Sequence, residues 1–73
     1  MFDAEQFGLR IKELRLKRGI STIRLAKELC VSDATISRWE NAVITPKAEY
    51  IYAMSKYFSV TAGFLLGLEK VEV

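Results

Sequence analysis

The chain has 73 residues, of which 51% are hydrophobic and 27% are charged, and its 11 basic and 9 acidic residues leave a net charge of +2. So short a chain buries only about 60% of its unfolded surface, which allows one domain, placed at residues 1–73. One cysteine and no histidine exclude an internal disulfide and a zinc site of Cys and His ligands, so no metal or cofactor is expected. No apolar run approaches the ~20 residues that cross a bilayer, so no membrane is expected either.

The spacing of apolar residues predicts helices and no strand, beginning with one over residues 3–18 that Gly19 ends. Ser21 is a good N-cap for a short second helix. After a tight turn, Ser32 is an equally good N-cap for a third helix that runs from residue 33 to about residue 40.

Two more helices are predicted in the second half of the chain. Thr45 followed by Pro46 predicts that a fourth helix begins at the proline, because proline is favoured at the first helical position. Thr61 is the N-cap of a last short helix, which Gly67 ends. The expected fold class is therefore all-α, a compact bundle of five helices.

The charge is unevenly distributed along the chain. Residues 9–47 contain nine basic and four acidic residues, whereas residues 1–8 and 48–73 together contain two basic and five acidic ones. One basic stretch in an otherwise acidic chain suggests a polyanionic partner. A solvated helix face explains the same pattern, so the charge alone leaves both interpretations open.

The second and third predicted helices are joined by a turn of only two residues, Cys30 and Val31. The turn is too short for the helices to lie antiparallel, so they must cross steeply, which predicts a helix-turn-helix at about residues 22–41. The outer face of the third helix is then free to enter a DNA major groove, which is about 12 Å wide. The side chains predicted on that face are Asp33, Ala34, Ser37 and Arg38.

Over residues 7–67 the sequence resembles the phage-repressor-like family of helix-turn-helix regulators, the Cro/repressor or xenobiotic-response-element type. The residues that carry the resemblance are, in order, Arg15, Lys17-Arg18-Gly19, Ser21, Leu25-Ala26, Val31-Ser32, Thr35-Ile36-Ser37-Arg38-Trp39-Glu40-Asn41, Pro46, Val60-Thr61 and Leu65-Leu66. The resemblance implies a fold of the lambda-repressor-like DNA-binding type and sequence-specific binding of double-stranded DNA through a recognition helix at about residues 33–41. It also implies a small transcriptional regulator, a repressor that binds a pseudo-palindromic operator as a homodimer, prokaryotic or phage-encoded and cytoplasmic.

The family's functional residues carry over by position. The implied base contacts are Asp33, Ala34, Ser37 and Arg38, and the implied DNA backbone contacts are Thr22, Arg24, Ser32, Thr35, Asn41 and Lys47. Arg38 suits guanine, because its guanidinium can donate two hydrogen bonds to O6 and N7. Helix capping is an equally good explanation for Ser32 and Thr35. A solvated side chain is the alternative for Arg24, and a residue of the turn at the C-terminal end of the helix is the alternative for Asn41, so these alternatives stay open. Similar proteins have a structural ion pair between an arginine and a glutamate at the positions of Arg15 and Glu40. The same ion pair is expected here.

The sequence departs from the family pattern at several points. Thr22 stands where glutamine is usual, Arg24 where an acidic residue is common, and Cys30 where glycine is expected in a left-handed turn. The loop of residues 42–45 lacks the basic residues that relatives often carry there. The uncharged loop and the negative charge of Asp33 support an alternative function as a protein–protein interaction module, such as an antitoxin, with weak or lost DNA binding.

An enzyme is not expected, because the sequence has no histidine, no glycine-rich phosphate loop and no nucleophile beside a base. No small-molecule ligand is evident either. Three tyrosines and an apolar tail exceed what one small core hides, which suggests a homodimer through the last helix and the tail. The residues expected at that interface are Tyr57, Phe64, Leu68 and Val71. The alternative is that the tyrosines fill gaps between the helices.

Overall fold

The computed structural model describes residues 2–69, and within that range the chain forms five helices and no strand. The helices are α1 (Ala4–Lys17), α2 (Thr22–Leu29), α3 (Asp33–Glu40), α4 (Ala48–Phe58) and α5 (Ala62–Leu66). The predicted all-α, five-helix fold is confirmed. None of the helices in the described range is both long enough and apolar enough to span a membrane.

The predicted N-caps of α2, α3 and α5 each accept a hydrogen bond from a backbone N–H three residues later. The distances are 3.0 Å from Ser21 Oγ to the Arg24 nitrogen, 3.1 Å from Ser32 Oγ to the Thr35 nitrogen and 3.0 Å from Thr61 Oγ1 to the Phe64 nitrogen. Each bond satisfies one of the N–H groups that a helix start leaves without an intrahelical partner. Local chemistry therefore determines where these helices begin.

The prediction that α4 begins at Pro46 is wrong. The helix begins at Ala48, and its N-cap is Lys47, which is extended at ψ 159° and makes no side-chain cap hydrogen bond. Proline fixes φ near −65°, a value that suits extended backbone as well as a helix. Pro46 therefore belongs to the extended end of the loop before α4, and it does not open the helix.

The core is formed by apolar side chains from all five helices. The buried residues are Phe7, Ile11, Leu25, Ala26, Leu29, Ile36, Trp39, Met54, Phe58 and Leu65. Half-buried residues such as Leu14, Val31 and Ile51 pack against this cluster. Because Ile36 and Trp39 point inward from α3, the opposite face of that helix is left on the surface.

Candidate DNA-binding surface

The turn between α2 and α3 is closed by backbone hydrogen bonds. Cys30 has the left-handed conformation predicted for it, with φ 58° and ψ 41°. The next residue, Val31, donates its N–H to the Ala26 carbonyl oxygen at 3.0 Å. Ala26 is only 3% exposed, and its small side chain allows the two helices to pack closely. The chain therefore changes direction between α2 and α3 within a turn of only a few residues.

The outer face of α3 carries the four residues predicted to contact bases. Asp33, Ala34, Ser37 and Arg38 are all exposed. They lie at positions i, i+1, i+4 and i+5, so helical periodicity puts them on one side of α3. The structure therefore brings these four side chains together on a surface that no other part of residues 2–69 covers.

Asn41, the C-cap of α3, has an amide group that bonds within the chain. Its Nδ2 donates to the Ser37 carbonyl oxygen at 2.9 Å and lies 3.3 Å from Ser37 Oγ. The Asn41 backbone N–H donates to the same carbonyl oxygen at 3.0 Å. The side chain is exposed and holds the last turn of α3 together.

Two of the predicted DNA backbone contacts lie side by side at the N-terminus of α3. The hydroxyl oxygens of Ser32 and Thr35 are 2.8 Å apart, and Ser32 also caps the helix. The two groups share one hydrogen bond and have two hydroxyl hydrogens between them. One hydroxyl hydrogen thus remains for a further acceptor, so capping and phosphate contact are compatible.

The other predicted DNA backbone contacts are spread along the helix-turn-helix and beyond it. Thr22 is the half-buried first residue of α2. Arg24 lies in the first turn of the same helix, with its Nε 3.1 Å from Glu28 Oε1 in an exposed ion pair. Lys47 is exposed after the loop that follows α3. Within residues 2–69, no hydrogen bond or ion pair joins these three residues to Ser32 or Thr35.

Arg15 and Glu40 form a bidentate ion pair between α1 and the end of α3. Arg15 Nε lies 2.7 Å from Glu40 Oε2, and Nη2 lies 3.0 Å from Oε1. The two side chains are only 10% and 6% exposed. The hydrogen bond to Glu40 raises the pKa of the Arg15 guanidinium, the negative charge of Glu40 adds to that increase, and burial opposes it.

Arg15 also donates from Nη1 to the Ile20 carbonyl oxygen at 3.0 Å. One guanidinium therefore joins α1 to the loop before α2 and to the last residue of α3. Because all three contacts come from a single planar group, they hold the start of α2 and the end of α3 in a defined relation.

Gly8 in α1 is part of the same contact between α1 and α3, and it is not among the residues predicted from the sequence. A Cβ atom at this position would lie 2.5 Å from the Glu40 carbonyl oxygen and 2.7 Å from the Trp39 carbonyl oxygen. Only glycine allows α3 to come this close. The sequence offered one signal, a glycine inside a predicted helix. An interior glycine destabilises a helix by about 1 kcal/mol relative to alanine, so its presence suggests a close packing contact.

Arg10 bonds inside the molecule, although it counts toward the basic stretch. Its Nη1 donates to the Phe64 carbonyl oxygen at the end of α5, and its guanidinium lies 4.9 Å above the centre of the Phe64 ring. Arg10 therefore connects α1 to α5, and its guanidinium is occupied within the molecule.

The loop after α3 exposes apolar side chains beside the candidate surface. Ala42 has a left-handed φ of 60°, and the Val43 N–H then donates to the Arg38 carbonyl oxygen at 2.9 Å. Val43 is 68% exposed and Ile44 is 43% exposed. This segment offers no charged side chain to a phosphate.

The residues predicted at a dimer interface differ in exposure. Leu68 is 80% exposed, whereas Tyr57 and Phe64 are half-buried under arginine side chains. Tyr57 packs edge-on against Phe58, with ring centres 5.1 Å apart. Val71 lies outside the described residues. Much of the aromatic surface attributed to a dimer is therefore covered within one chain.

Comparison with known proteins identifies the family. Residues 11–65 match the family described as helix-turn-helix, which is about three quarters of the chain. The chain belongs to the Cro/repressor-type helix-turn-helix family. The resemblance noted in the sequence is thus confirmed, and it places the chain among DNA-binding transcriptional regulators.

Solved structures of similar proteins agree with this helix-turn-helix assignment. The P22 c2 repressor in complex with synthetic operator 9T is 33% identical, with a TM-score of 0.81 over 86% of this chain and 96% of that one. The DNA-binding domain of the P22 c2 repressor in solution is 30% identical, with a TM-score of 0.79 over 96% of this chain and 95% of that one. The lambda-repressor-like fold predicted from the sequence is confirmed.

One similar protein is much longer. The HTH-type transcriptional activator BcrR from Enterococcus faecalis is 35% identical over 66 residues, which are 90% of this chain and 32% of that protein. This helix-turn-helix chain therefore spans about a third of the length of that relative.

Proposed function

We propose that this chain is a transcriptional repressor that binds a specific double-stranded DNA sequence by inserting α3 into the major groove. The observation that carries the proposal is the exposed outer face of α3, with Asp33, Ala34, Ser37 and Arg38 on one side. An α-helix fits the major groove, where each base pair presents a distinct pattern of donors and acceptors. The protein acts in the cytoplasm of a bacterium or of a phage-infected cell.

The roles of the four exposed residues follow from their chemistry. Arg38 donates two hydrogen bonds to a guanine, and Ala34 contacts a thymine methyl group. Ser37 bonds to a base edge, and Asp33 accepts from cytosine N4. Arg38 dominates recognition, because Asp33 repels the phosphates that surround the groove.

Contacts to the DNA backbone hold α3 in register. Thr22, Arg24, Ser32, Thr35, Asn41 and Lys47 are the proposed contacts. The free N–H groups at the starts of α2 and α3 assist them, since helix N-termini attract phosphate. Arg24 contributes by leaving its exposed pair with Glu28, which costs little because such surface pairs stabilise by less than about 1 kcal/mol.

The repressor binds a pseudo-palindromic operator as a homodimer through α5 and the start of the tail, with Tyr57, Phe64 and Leu68 at the interface. The exposure of Leu68, which is 80% for the whole residue, supports this assignment. A two-fold dimer would hold its two recognition helices about 34 Å apart, one turn of DNA.

A protein–protein interaction module is the second candidate function. The exposed Val43 and Ile44 beside α3 favour it, because an apolar loop suits a protein partner better than a phosphate. In this alternative the fold binds a partner such as a toxin, and DNA binding is weak or lost.

Binding to randomised DNA separates the two candidates. Duplexes are selected on the protein, sequenced and then titrated by fluorescence anisotropy from ~50 to ~200 mM salt. We expect a recurrent sequence containing guanine and an affinity that falls steeply with salt, because each neutralised phosphate releases counterions. If no sequence is enriched and no binding occurs at ~50 mM salt, the interaction module becomes the better assignment.

A further inference from the structure

The last residue of α3 is held by α1 from two sides. Gly8 lies against the Glu40 backbone, where a Cβ would come within 2.5 Å of the carbonyl oxygen. Arg15, seven residues later on the same face of α1, binds the Glu40 carboxylate in the bidentate pair. The Gly8 contact sets the distance between α1 and α3, and the Arg15–Glu40 ion pair sets their lateral position.

α1 is the fixed partner in this contact. Phe7 and Ile11, which flank Gly8 on the inner face of α1, are 2% and 0% exposed. Arg10 ties the same turn of α1 to the end of α5. Trp39 and the Glu40 side chain at the end of α3 are also buried, but the chain after them enters the loop of residues 41–47, most of which is exposed. A larger residue at position 8 would thus move the end of α3 more readily than it would move α1.

The size of that movement can be estimated from the geometry. An ordinary contact of a Cβ begins at 3.4 Å, compared with the 2.5 Å available, so an added methyl group requires a shift of about 1 Å. α3 has eight residues and is therefore about 12 Å long. A 1 Å shift at one end, with the N-terminus held by the turn from α2, tilts the helix by about 5°.

We propose that Gly8 is a positioning residue for DNA recognition: the absence of a side chain at position 8 sets the angle at which α3 presents Arg38 to the major groove. The inference rests on the proposed function and adds to it a residue on α1 that touches no DNA. Hydrogen bonds to base edges tolerate only a few tenths of an ångström, whereas attraction to the phosphates varies slowly with distance. Gly8 therefore affects specific binding far more than non-specific binding.

The test compares Gly8→Ala with the wild type on the selected DNA site and on a scrambled duplex. We expect the ratio of specific to non-specific affinity to fall about 10-fold or more, with non-specific affinity within about 2-fold of the wild type. Met54→Val, which alters the fully buried Met54 on α4, is the control for a loss of stability. If Gly8→Ala leaves the ratio unchanged, or lowers both affinities together as Met54→Val does, position 8 has no role in recognition.

A second measurement needs no DNA. Residual dipolar couplings of the free protein report the orientation of α3 relative to α1 and α2. We expect a change of about 5° in Gly8→Ala and none in Met54→Val; an unchanged orientation contradicts the inference. If the wild type selects no DNA sequence, the proposed function is wrong. The orientation of α3 relative to α1 and α2 then still decides whether Gly8 positions α3.

Gly8→Ala is also prepared in a Ser59→Gly background in case it folds poorly alone. Ser59 has a left-handed φ of 56°, which glycine adopts without strain. We therefore expect the Ser59→Gly background to be more stable. Position 59 also lies far along the chain from α3. If Gly8→Ala does not fold even there, position 8 is a requirement of folding alone and the inference is overturned.

Discussion

Arg15 and Arg24 each bind a glutamate, but the two pairs differ greatly in their exposure to water. The Arg15–Glu40 side chains are 10% and 6% exposed, and those of Arg24 and Glu28 are 61% and 38% exposed. Removing one partner of a buried pair leaves the other charge without compensation, which costs about 3–5 kcal/mol. We therefore expect Arg15→Ala and Glu40→Ala each to lower the free energy of unfolding by about 3 kcal/mol.

Thermal and urea unfolding of the two single variants and the double variant measures the coupling between Arg15 and Glu40. The double variant should lose much less than the sum of the two single losses, because the second substitution removes a charge that is already unpaired. Arg24→Ala and Glu28→Ala form the matched control, with an expected coupling below about 0.5 kcal/mol. Additive losses for Arg15 and Glu40 would mean that the pair does not stabilise the fold.

Arg38 and Lys47 are both exposed cations, yet their proposed roles predict different binding defects. Arg38→Ala should lower affinity for the selected site by about 1–3 kcal/mol and relax the preference at one base pair. Lys47→Ala should weaken binding to all sequences alike and reduce the salt slope by about 0.9. Anisotropy titrations on matched and mismatched duplexes measure both effects. Identical binding profiles for the two variants would refute the separate assignment of base and phosphate contacts.

The helix ends offer a test of backbone strain, because α1 and α2 end differently. The left-handed residue is Gly19 after α1, with φ 67°, and Cys30 after α2, with φ 58°. Cys30 is exposed, and a Cβ added at Gly19 would have no neighbour within 4 Å. Substitution at either position therefore changes backbone strain with little change in packing.

We expect Cys30→Gly to stabilise the protein by about 1 kcal/mol and Gly19→Ala to destabilise it by a similar amount. For a domain of this size, each change corresponds to a shift of about 4–8 °C in Tm. Calorimetry in a reducing buffer measures both shifts. A Cys30→Gly variant that melts at or below the wild-type temperature would show that the cysteine side chain contributes more than its backbone strain costs.

The elements that depend on local chemistry were predictable from the sequence. Capping by Ser21, Ser32 and Thr61 and the apolar periodicity located four of the five helix starts closely. The start of α4 was not predictable in this way, because Pro46 satisfies both a helical and an extended backbone. What decides between them is the path of the loop from α3 to α4, which depends on the tertiary structure.

The exposed face of α3 was also predictable from the sequence, because it depends only on local helical geometry. Helical periodicity is enough to put Asp33, Ala34, Ser37 and Arg38 on one face. The close contact of Gly8 with Glu40 joins residues far apart in the chain, and a single sequence contains little information about such a contact. The bonding of Asn41 to Ser37 and of Arg10 to Phe64 likewise depends on geometry that only the folded chain specifies.

A substitution at Leu68 tests the oligomeric state of the protein. Leu68 is 80% exposed, so Leu68→Glu should leave the Tm of the monomer almost unchanged while it disrupts an interface formed by α5 and the tail. Light scattering at micromolar concentration should show a dimer for the wild type and a species of 8.3 kDa for Leu68→Glu. A wild type that is 8.3 kDa without DNA and that binds its DNA site as one protein chain per duplex would rule out the proposed homodimer.

Recognition of a guanine by Arg38 on α3 can be tested by changing one atom of the DNA. Replacing that guanine with 7-deazaguanine removes the N7 acceptor from the major groove and leaves the base pair intact. We expect the wild type to lose about 5- to 10-fold in affinity for the modified site and Arg38→Ala to bind both sites equally. Equal losses for the two proteins, or no loss for the wild type at any guanine of the site, would contradict this role of Arg38.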